Sequence, residues 1–245
     1  SPVDVEGCTN IAPISVTVGK TAGSSGLDGF YLGGIVGSID AQNESLLVNA
    51  VRNCRNTGNL YATLSYDAES NNAIKVGGIC GNTRGPASVE GNENTAESVI
   101  LENAKAAKML CSAGGIIGEA GDPWNSEETA ISLQNNINRA SVLSRTNTAE
   151  TPAGGLVGYL YCPVTASGNR NFADVERAVT EGHGLAKFDV CFAGGFVGII
   201  SLGRTGAAAG AGRTFRAAFT GSRGRDCRKA VRIKTLTHQC GEVFG

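Results

Sequence analysis

The chain has 245 residues, is 41% hydrophobic and carries a formal net charge of −1. This hydrophobic content excludes a disordered chain, and 35 glycines without a three-residue period exclude collagen and indicate turn-rich β structure. The near-neutral total conceals an asymmetry, because residues 1–200 hold 12 basic and 20 acidic residues and residues 201–245 hold 9 basic and 2 acidic residues.

A box of two glycines, two apolar residues and a third glycine recurs five times. The copies are Gly33-Gly34-Ile35-Val36-Gly37, Gly77-Gly78-Ile79-Cys80-Gly81, Gly114-Gly115-Ile116-Ile117-Gly118, Gly154-Gly155-Leu156-Val157-Gly158 and Gly194-Gly195-Phe196-Val197-Gly198. Their first glycines lie 44, 37, 40 and 40 residues apart. A period of this size predicts units that stack into one continuous core.

An asparagine followed four residues later by an apolar or small residue precedes each box. These residues are Asn10, Asn56, Asn103, Asn138 and Asn171. Asparagine tolerates left-handed backbone and suits a tight corner, and equivalent asparagines in coils stacked about 4.8 Å apart can form an amide ladder. A short β-prone run such as Ile14–Val18 follows the asparagine.

Each unit is therefore interpreted as an asparagine turn, a strand, a variable loop and a second strand that passes through the glycine box. Alternation along that strand predicts residues one, three and five of the box on one face and residues two and four on the other. Residues 96–109 have helix propensity, but their place in the repeat favours a strand.

The sequence thus predicts an all-β fold, a parallel β-helix or β-solenoid of about five repeats of roughly 40 residues with a degenerate C-terminal cap. Residues 1–200 are assigned to the repeats, and Phe215–Phe219 is a candidate start of a degenerate sixth coil. Residues 201–245 are assigned to a basic cap or docking tail. Only Phe215 and Phe219 lie among its arginines, too few for a series of stacking platforms, which disfavours nucleic acid as a partner.

One unit combines the asparagine element Asn53-Cys54-Arg55-Asn56-Thr57-Gly58-Asn59-Leu60 with the box Val76-Gly77-Gly78-Ile79-Cys80-Gly81. This combination resembles the GLUG repeat of bacterial and some protist cell-surface proteins. Three units depart from that pattern because they lack the cysteine. The resemblance implies a β-solenoid-like stalk or passenger of secreted adhesins, glycoproteins and the exported region of some IgA-cleaving metalloproteases. The zinc motif of those proteases has no match in this chain.

Eight cysteines without a Cys-x-x-Cys pair favour an oxidising compartment over a zinc site. Cys8 and Cys54 each lie two residues before a repeat asparagine, so stacked coils would bring them within disulfide range. Free buried thiols are the alternative, and Cys80 fits that alternative best because it occupies an apolar position of the repeat. The chain begins with Ser1, which indicates a removed signal peptide or a fragment of a longer protein.

No catalytic constellation, cofactor site, metal site or membrane span is predicted. Trp124, on a polar loop, is either a loop anchor or a sugar-stacking residue, and Asn43 begins the only N-glycosylation sequon. The local carboxylate pairs Asp174 with Glu176 and Glu127 with Glu128 have the character of solvated surface.

The favoured function is a secreted or cell-surface structural or adhesive β-solenoid, a candidate filament subunit that associates head to tail with itself or binds other surface proteins or glycans. The alternative is a carbohydrate-active β-helix enzyme or a glycan-binding module.

Overall fold

A computed structural model of the chain describes residues 2–18, 30–40, 48–64, 73–103, 110–121, 130–146, 151–178, 193–201, 217–220, 223–224 and 233–234. In these ranges every regular element is a β-strand, and the strands pair in parallel. The predicted all-β parallel solenoid is therefore confirmed.

Each of the first five coils contributes five strands, which occupy positions here called A to E in chain order. The first coil consists of β1 (Asp4–Glu6), β2 (Thr9–Asn10), β3 (Ile14–Val18), β4 (Phe30–Gly33) and β5 (Val36–Asp40). The second consists of β6 (Asn49–Arg52), β7 (Arg55–Asn56), β8 (Leu60–Leu64), β9 (Ala73–Gly77) and β10 (Cys80–Arg84). The third consists of β11 (Ala87–Glu90), β12 (Glu93–Asn94), β13 (Ser98–Asn103), β14 (Leu110–Gly114) and β15 (Ile117–Ala120).

The later coils repeat the same order. The fourth consists of β16 (Ile131–Gln134), β17 (Ile137–Asn138), β18 (Ser141–Thr146), β19 (Ala153–Gly154) and β20 (Val157–Leu160). The fifth consists of β21 (Val164–Ser167), β22 (Arg170–Asn171), β23 (Val175–Ala178), β24 (Ala193–Gly194) and β25 (Val197–Ser201). A sixth, partial coil contributes β26 (Ala217–Thr220), β27 (Arg223–Gly224) and β28 (Ile233–Lys234).

Strands at the same position pair with their equivalents one coil further on, which produces five parallel sheets. Sheets A, B and E contain six described strands, and sheets C and D contain five. In the sixth coil, β26 pairs with β21, β27 with β22 and β28 with β25. The solenoid therefore continues beyond residue 200, into the segment assigned from the sequence to a cap or tail.

In cross-section each coil is an outer arch of positions A, B and C around an inner arch of positions D and E. One apolar core lies between sheets A and E and includes Val51, Val89, Ile117 and Val157. A second core lies between sheets C and D and includes Leu60, Val99, Val76 and Ala113. Alternation in the strands directs every second side chain into these cores, whose burial is the main stabilising contribution.

The corner between positions A and B is occupied by a left-handed residue in each of the first five coils. Its φ angle lies between 52° and 66°, and the residue is always glycine or asparagine: Gly7, Asn53, Gly91, Asn135 and Gly168. These are the residue types that adopt this conformation at low cost. The sequence specifies the corner locally for this reason.

The glycine box is a corner and not a continuous strand, which corrects the sequence-based expectation. In the second coil, β9 ends at Gly77, the chain bends at Gly78 and Ile79, and β10 begins at Cys80. Because of the bend, both central residues, Ile79 and Cys80, point into the core between sheets A and E. The predicted placement of these two residues on opposite faces is wrong.

All three glycines of each inner box are needed because other atoms approach them closely, as the second and third glycines of the second box illustrate. A Cβ atom on Gly78 would collide with the Asn94 carboxamide and the Gly115 carbonyl of the next coil. A Cβ atom on Gly81 would lie 2.5 Å from Gly37 O and 2.7 Å from Leu32 N. The inner arch can therefore close only where these positions carry no side chain.

We expect Gly81→Ala to lower the free energy of unfolding by at least about 3 kcal/mol, because rigid backbone atoms would have to move apart. The matched control is Gly37→Ala at the same box position of the first coil, where the nearest heavy atom to a Cβ is Tyr31 O at 3.1 Å. That control should cost only about 1 kcal/mol. Urea unfolding of both variants measures the difference, and equal losses would contradict the close-approach explanation.

Candidate functional site

The repeat asparagines form the predicted amide ladder along the axis of the solenoid. The Nδ2 atom of each residue donates to the Oδ1 atom of the next, with distances of 2.8 Å for Asn10–Asn56, 3.0 Å for Asn56–Asn94, 3.1 Å for Asn94–Asn138 and 2.8 Å for Asn138–Asn171. Asn56, Asn94 and Asn138 are completely buried. The hydrogen bonds of the ladder replace the hydrogen bonds to water that these carboxamides lose on folding.

The third member of the ladder is Asn94 and not Asn103, which corrects the sequence assignment. Asn94 pairs in register with Asn56 and Asn138, whereas Asn103 ends β13 and pairs with Thr146. Asn94 also satisfies the sequence pattern, with the small residue Ser98 four positions later, so the pattern by itself did not separate it from Asn103. The strand assigned to this region is correct for its described part, since Ser98–Asn103 forms β13.

A second asparagine ladder, which sequence reasoning missed, lies two residues before the first. Asn92 donates to Asn136 Oδ1 at 3.0 Å, and Asn136 donates to Asn169 Oδ1 at 2.9 Å. In the first two coils this position belongs to Cys8 and Cys54, and the Cys54 N–H donates to Asn92 Oδ1 at 3.0 Å. The signal available in the sequence was the recurring Asn-x-Asn spacing of the third, fourth and fifth coils.

Cys8 and Cys54, the predicted disulfide pair, are free thiols in this structure. The Cys54 Sγ atom lies 3.1 Å from the carbonyl oxygen of Arg52, and the Cys8 Sγ atom lies 3.6 Å from that of Glu6. Each thiol thus points at the carbonyl oxygen of the last residue of the strand that precedes the corner. Burial raises the pKa of Cys54, and the expected covalent link between the first two coils is absent.

The first asparagine ladder and the second glycine of the box meet inside the molecule. Asn94 Nδ2 donates to Gly115 O at 2.8 Å, and a Cβ on Gly115 would collide with the Asn138 carboxamide. The outer arch therefore contacts the tip of the inner arch through an asparagine and a glycine. The two sequence motifs are the two sides of one contact.

The remaining predicted sites do not form a described site. Trp124, Asn43 and the pair Glu127 and Glu128 lie outside the described residues. Asp174 and Glu176 are exposed. Among the residues that the structure covers, no cluster of three or more potential metal ligands occurs, and the same residues include no helix long and apolar enough to cross a membrane.

A buried polar cluster fills the inner arch behind the glycine corner. Lys75 Nζ lies 2.6 Å from Glu119 Oε2, and both side chains are almost completely buried. Asn82, which pairs in register with Glu119, is completely buried as well. Sequence reasoning missed this cluster because its members lie on three different strands.

The first coil forms one edge of the described sheets. Its strands β1 to β5 are each at the edge of their sheet among the described strands, with a hydrogen-bonded partner on one side only. Val3 and Ile11 are 56% and 78% exposed. An edge of this kind is a template for pairing with another chain.

Comparison with models of known protein families, with curated proteins and with solved structures finds no match to this chain.

We expect Asn94→Ala to lower the free energy of unfolding by about 2–4 kcal/mol, because it opens the ladder and leaves buried polar groups unpaired. Asn10→Ala is the matched control, since Asn10 is half-buried at the end of the ladder. The control should cost about 1 kcal/mol or less. Chemical denaturation of the two variants measures their free energies of unfolding. Equal losses in the two variants would contradict a stabilising role of the buried ladder.

The buried thiols should resist alkylation in the folded protein. Burial raises the pKa of Cys80 and of Cys162 to about 12 from the ordinary 9.0, and only the thiolate reacts. Peptide mapping should find exposed Cys8 labelled and these two unlabelled until urea is added. Because folding raises both pKa values, their contribution to stability is present below pH 9.0 and is lost as the pH rises towards about 12.

Proposed function

We propose that the chain is an extracellular structural or adhesive β-solenoid whose subunits associate head to tail, with the first coil of one subunit docking on the last coil of another. The observation that carries this proposal is the open edge of five strands in the first coil. Val3 accepts a hydrogen bond from Ala50 N at 2.9 Å, towards the second coil. Because backbone groups alternate along a strand, the N–H groups of Asp4 and Glu6 point to the open side.

Charge supports this direction of association. The charged residues among the described positions of the first coil are Asp4, Glu6 and Asp40, all acidic, and those of the sixth coil are Arg223 and Lys234, both basic. A head-to-tail contact would bring these opposite charges together. Such a heterologous contact does not close on itself and produces fibres unless a rotation closes a ring.

The end of the ladder also supports docking at the first coil. Asn56 Oδ1 accepts hydrogen bonds from Asn10 Nδ2 and from Gly58 N. Within the described residues, Asn10 Oδ1 accepts from Ala12 N alone. A carboxamide oxygen has room for a second donor. Because the sixth coil carries Gly224 at the ladder position, a backbone N–H of the docking coil would have to supply that donor.

The location outside the cell is part of the proposal and draws on the resemblance to GLUG repeats and on the eight cysteines. In this setting the first-coil edge would serve assembly. The outer side of the solenoid would remain available to other surface proteins or glycans.

The proposal is tested by negative-stain electron microscopy and light scattering of the purified chain over a range of salt concentrations. We expect rods or fibres at low salt that shorten as salt is raised, because screening weakens the contact between acidic and basic ends. A monomer at every protein and salt concentration would overturn the assembly proposal.

We expect Glu6→Lys to reduce the mean rod length, since it places a positive charge on the edge that faces a basic end. Glu176→Lys makes the same charge change at an exposed side position of the fifth coil and should leave assembly unchanged. The light-scattering mass of the two variants at equal concentration is the readout. Equal effects would show that net charge, and not the first-coil edge, governs association.

A further inference from the structure

The inner arch holds an ammonium group and a carboxylate in the interior of the protein. Lys75 on β9 and Glu119 on β15 have side chains that are 1% and 4% exposed, and their Nζ and Oε2 atoms are 2.6 Å apart. Removing both charges from water is expensive, and a buried ion pair is a weak source of stability. A pair of this kind therefore needs another explanation than stability.

Asn82 is a second anomaly in the same place. Its side chain is completely buried, and neither Nδ2 nor Oδ1 has a hydrogen-bond partner in the part of the chain that the structure describes. Every ladder asparagine, by contrast, has partners for its carboxamide. Buried, unpaired amides are costly and rare in folded proteins.

The strands bring the three side chains together. Asn82 and Glu119 are register partners on adjacent strands of sheet E, so their side chains point to the same side of the sheet. Lys75 lies on β9, which contacts both β10 and β15 across the corner. A Cβ at Gly77, two residues after Lys75, would collide with Cys80 O of β10 and would lie 2.5 Å from Gly118 N of β15. Glu119 is thus the common neighbour of the other two side chains, because its carboxylate contacts Lys75 Nζ and its register partner on the adjacent strand is Asn82.

We propose that Lys75 and Asn82 become joined by an intramolecular amide bond, in a reaction promoted by Glu119. The Lys75 ammonium first gives a proton to the Glu119 carboxylate, and the neutral amine attacks Cγ of Asn82. The Nζ–Cγ bond forms and the Cγ–Nδ2 bond breaks. Glu119 moves one proton from the attacking nitrogen to the leaving nitrogen, which departs as ammonia, and no oxidant or reductant is needed.

The surroundings favour this reaction. The two charged groups are in direct contact and shielded from water, so a proton can pass from Lys75 to Glu119 without a solvent relay. The amine, the acid and the amide carbon are held on rigid strands, so folding has already met the entropy cost of bringing the reactants together. A carboxyl group in contact with the amine can act as acid and base in turn. The Tyr159 ring, 5.7 Å from Lys75 Nζ, forms part of the apolar wall.

The product would be a covalent ring that joins both strands of the inner arch across the glycine corner of the second coil. Such a ring adds a mechanical link inside the solenoid and does not depend on head-to-tail assembly. The two proposals can therefore fail separately.

Mass spectrometry of the unmodified full-length chain tests the bond directly. The intact mass should be lower than the sequence mass by one ammonia. Trypsin should not cut after Lys75, so that residues 56–84 are recovered as one peptide that lacks one ammonia. An intact mass equal to the sequence mass would overturn the proposal. Cleavage after Lys75, which gives residues 56–75 and 76–84, would overturn it as well. The cleavage test also covers a cyclised asparagine, which loses ammonia but leaves Lys75 open to trypsin.

Glu119→Gln keeps the size of the side chain and removes its acid–base function, so we expect full mass and normal cleavage after Lys75. The matched control is Glu102→Gln on β13, whose carboxylate instead accepts a hydrogen bond from the Tyr61 hydroxyl at 2.9 Å, and it should retain the bond. Circular dichroism of both variants reports whether the β fold is kept. A folded Glu119→Gln variant that still lacks one ammonia in residues 56–84 would rule out Glu119 as the promoting group.

Discussion

The fold depends on one contact, that between a ladder asparagine of the outer arch and the second glycine at the tip of the inner arch. Asn94 Nδ2 reaches Gly115 O at 2.8 Å, and the site of a Gly78 Cβ is occupied by the Asn94 carboxamide. A side chain at this glycine would separate the two arches and open both cores. The close approach of carboxamide and glycine recurs at Gly34 with Asn56, at Gly115 with Asn138 and at Gly155 with Asn171, so the same two residue types recur with the period of the solenoid.

The groups that join coil to coil inside the solenoid also define its ends. In the interior, each backbone strand and each amide of the first ladder has a neighbour on both sides, so the hydrogen-bonding groups of the strands and of the ladder are satisfied. At the first coil these neighbours exist on one side only within the described residues. A repeat fold has no intrinsic length, and its terminal coils must be covered or paired. This constraint connects the stability of the array to the assembly proposed for it.

The unusual chemistry lies where the repeat is broken. In sheet D, Lys75 is the register partner of Tyr31 and Ser112, and in sheet E the row of Asn82 and Glu119 continues with Tyr159. Positions that serve the scaffold keep one residue type from coil to coil, whereas these positions change. The inner arch therefore encloses buried positions whose side chains differ from coil to coil.

The sequence alone determined the class of fold, the period and the ladder, because glycine and asparagine are required by local backbone geometry and by close approach at every coil. Only the tertiary structure decided that Asn94 and not Asn103 belongs to the ladder, since loops of different length shift the strand register between coils. It also decided that the box is a corner, that Cys8 and Cys54 remain thiols, and that Lys75 meets Glu119. Those features arise from packing between strands that are distant in the chain, and no local pattern encodes which of them face each other.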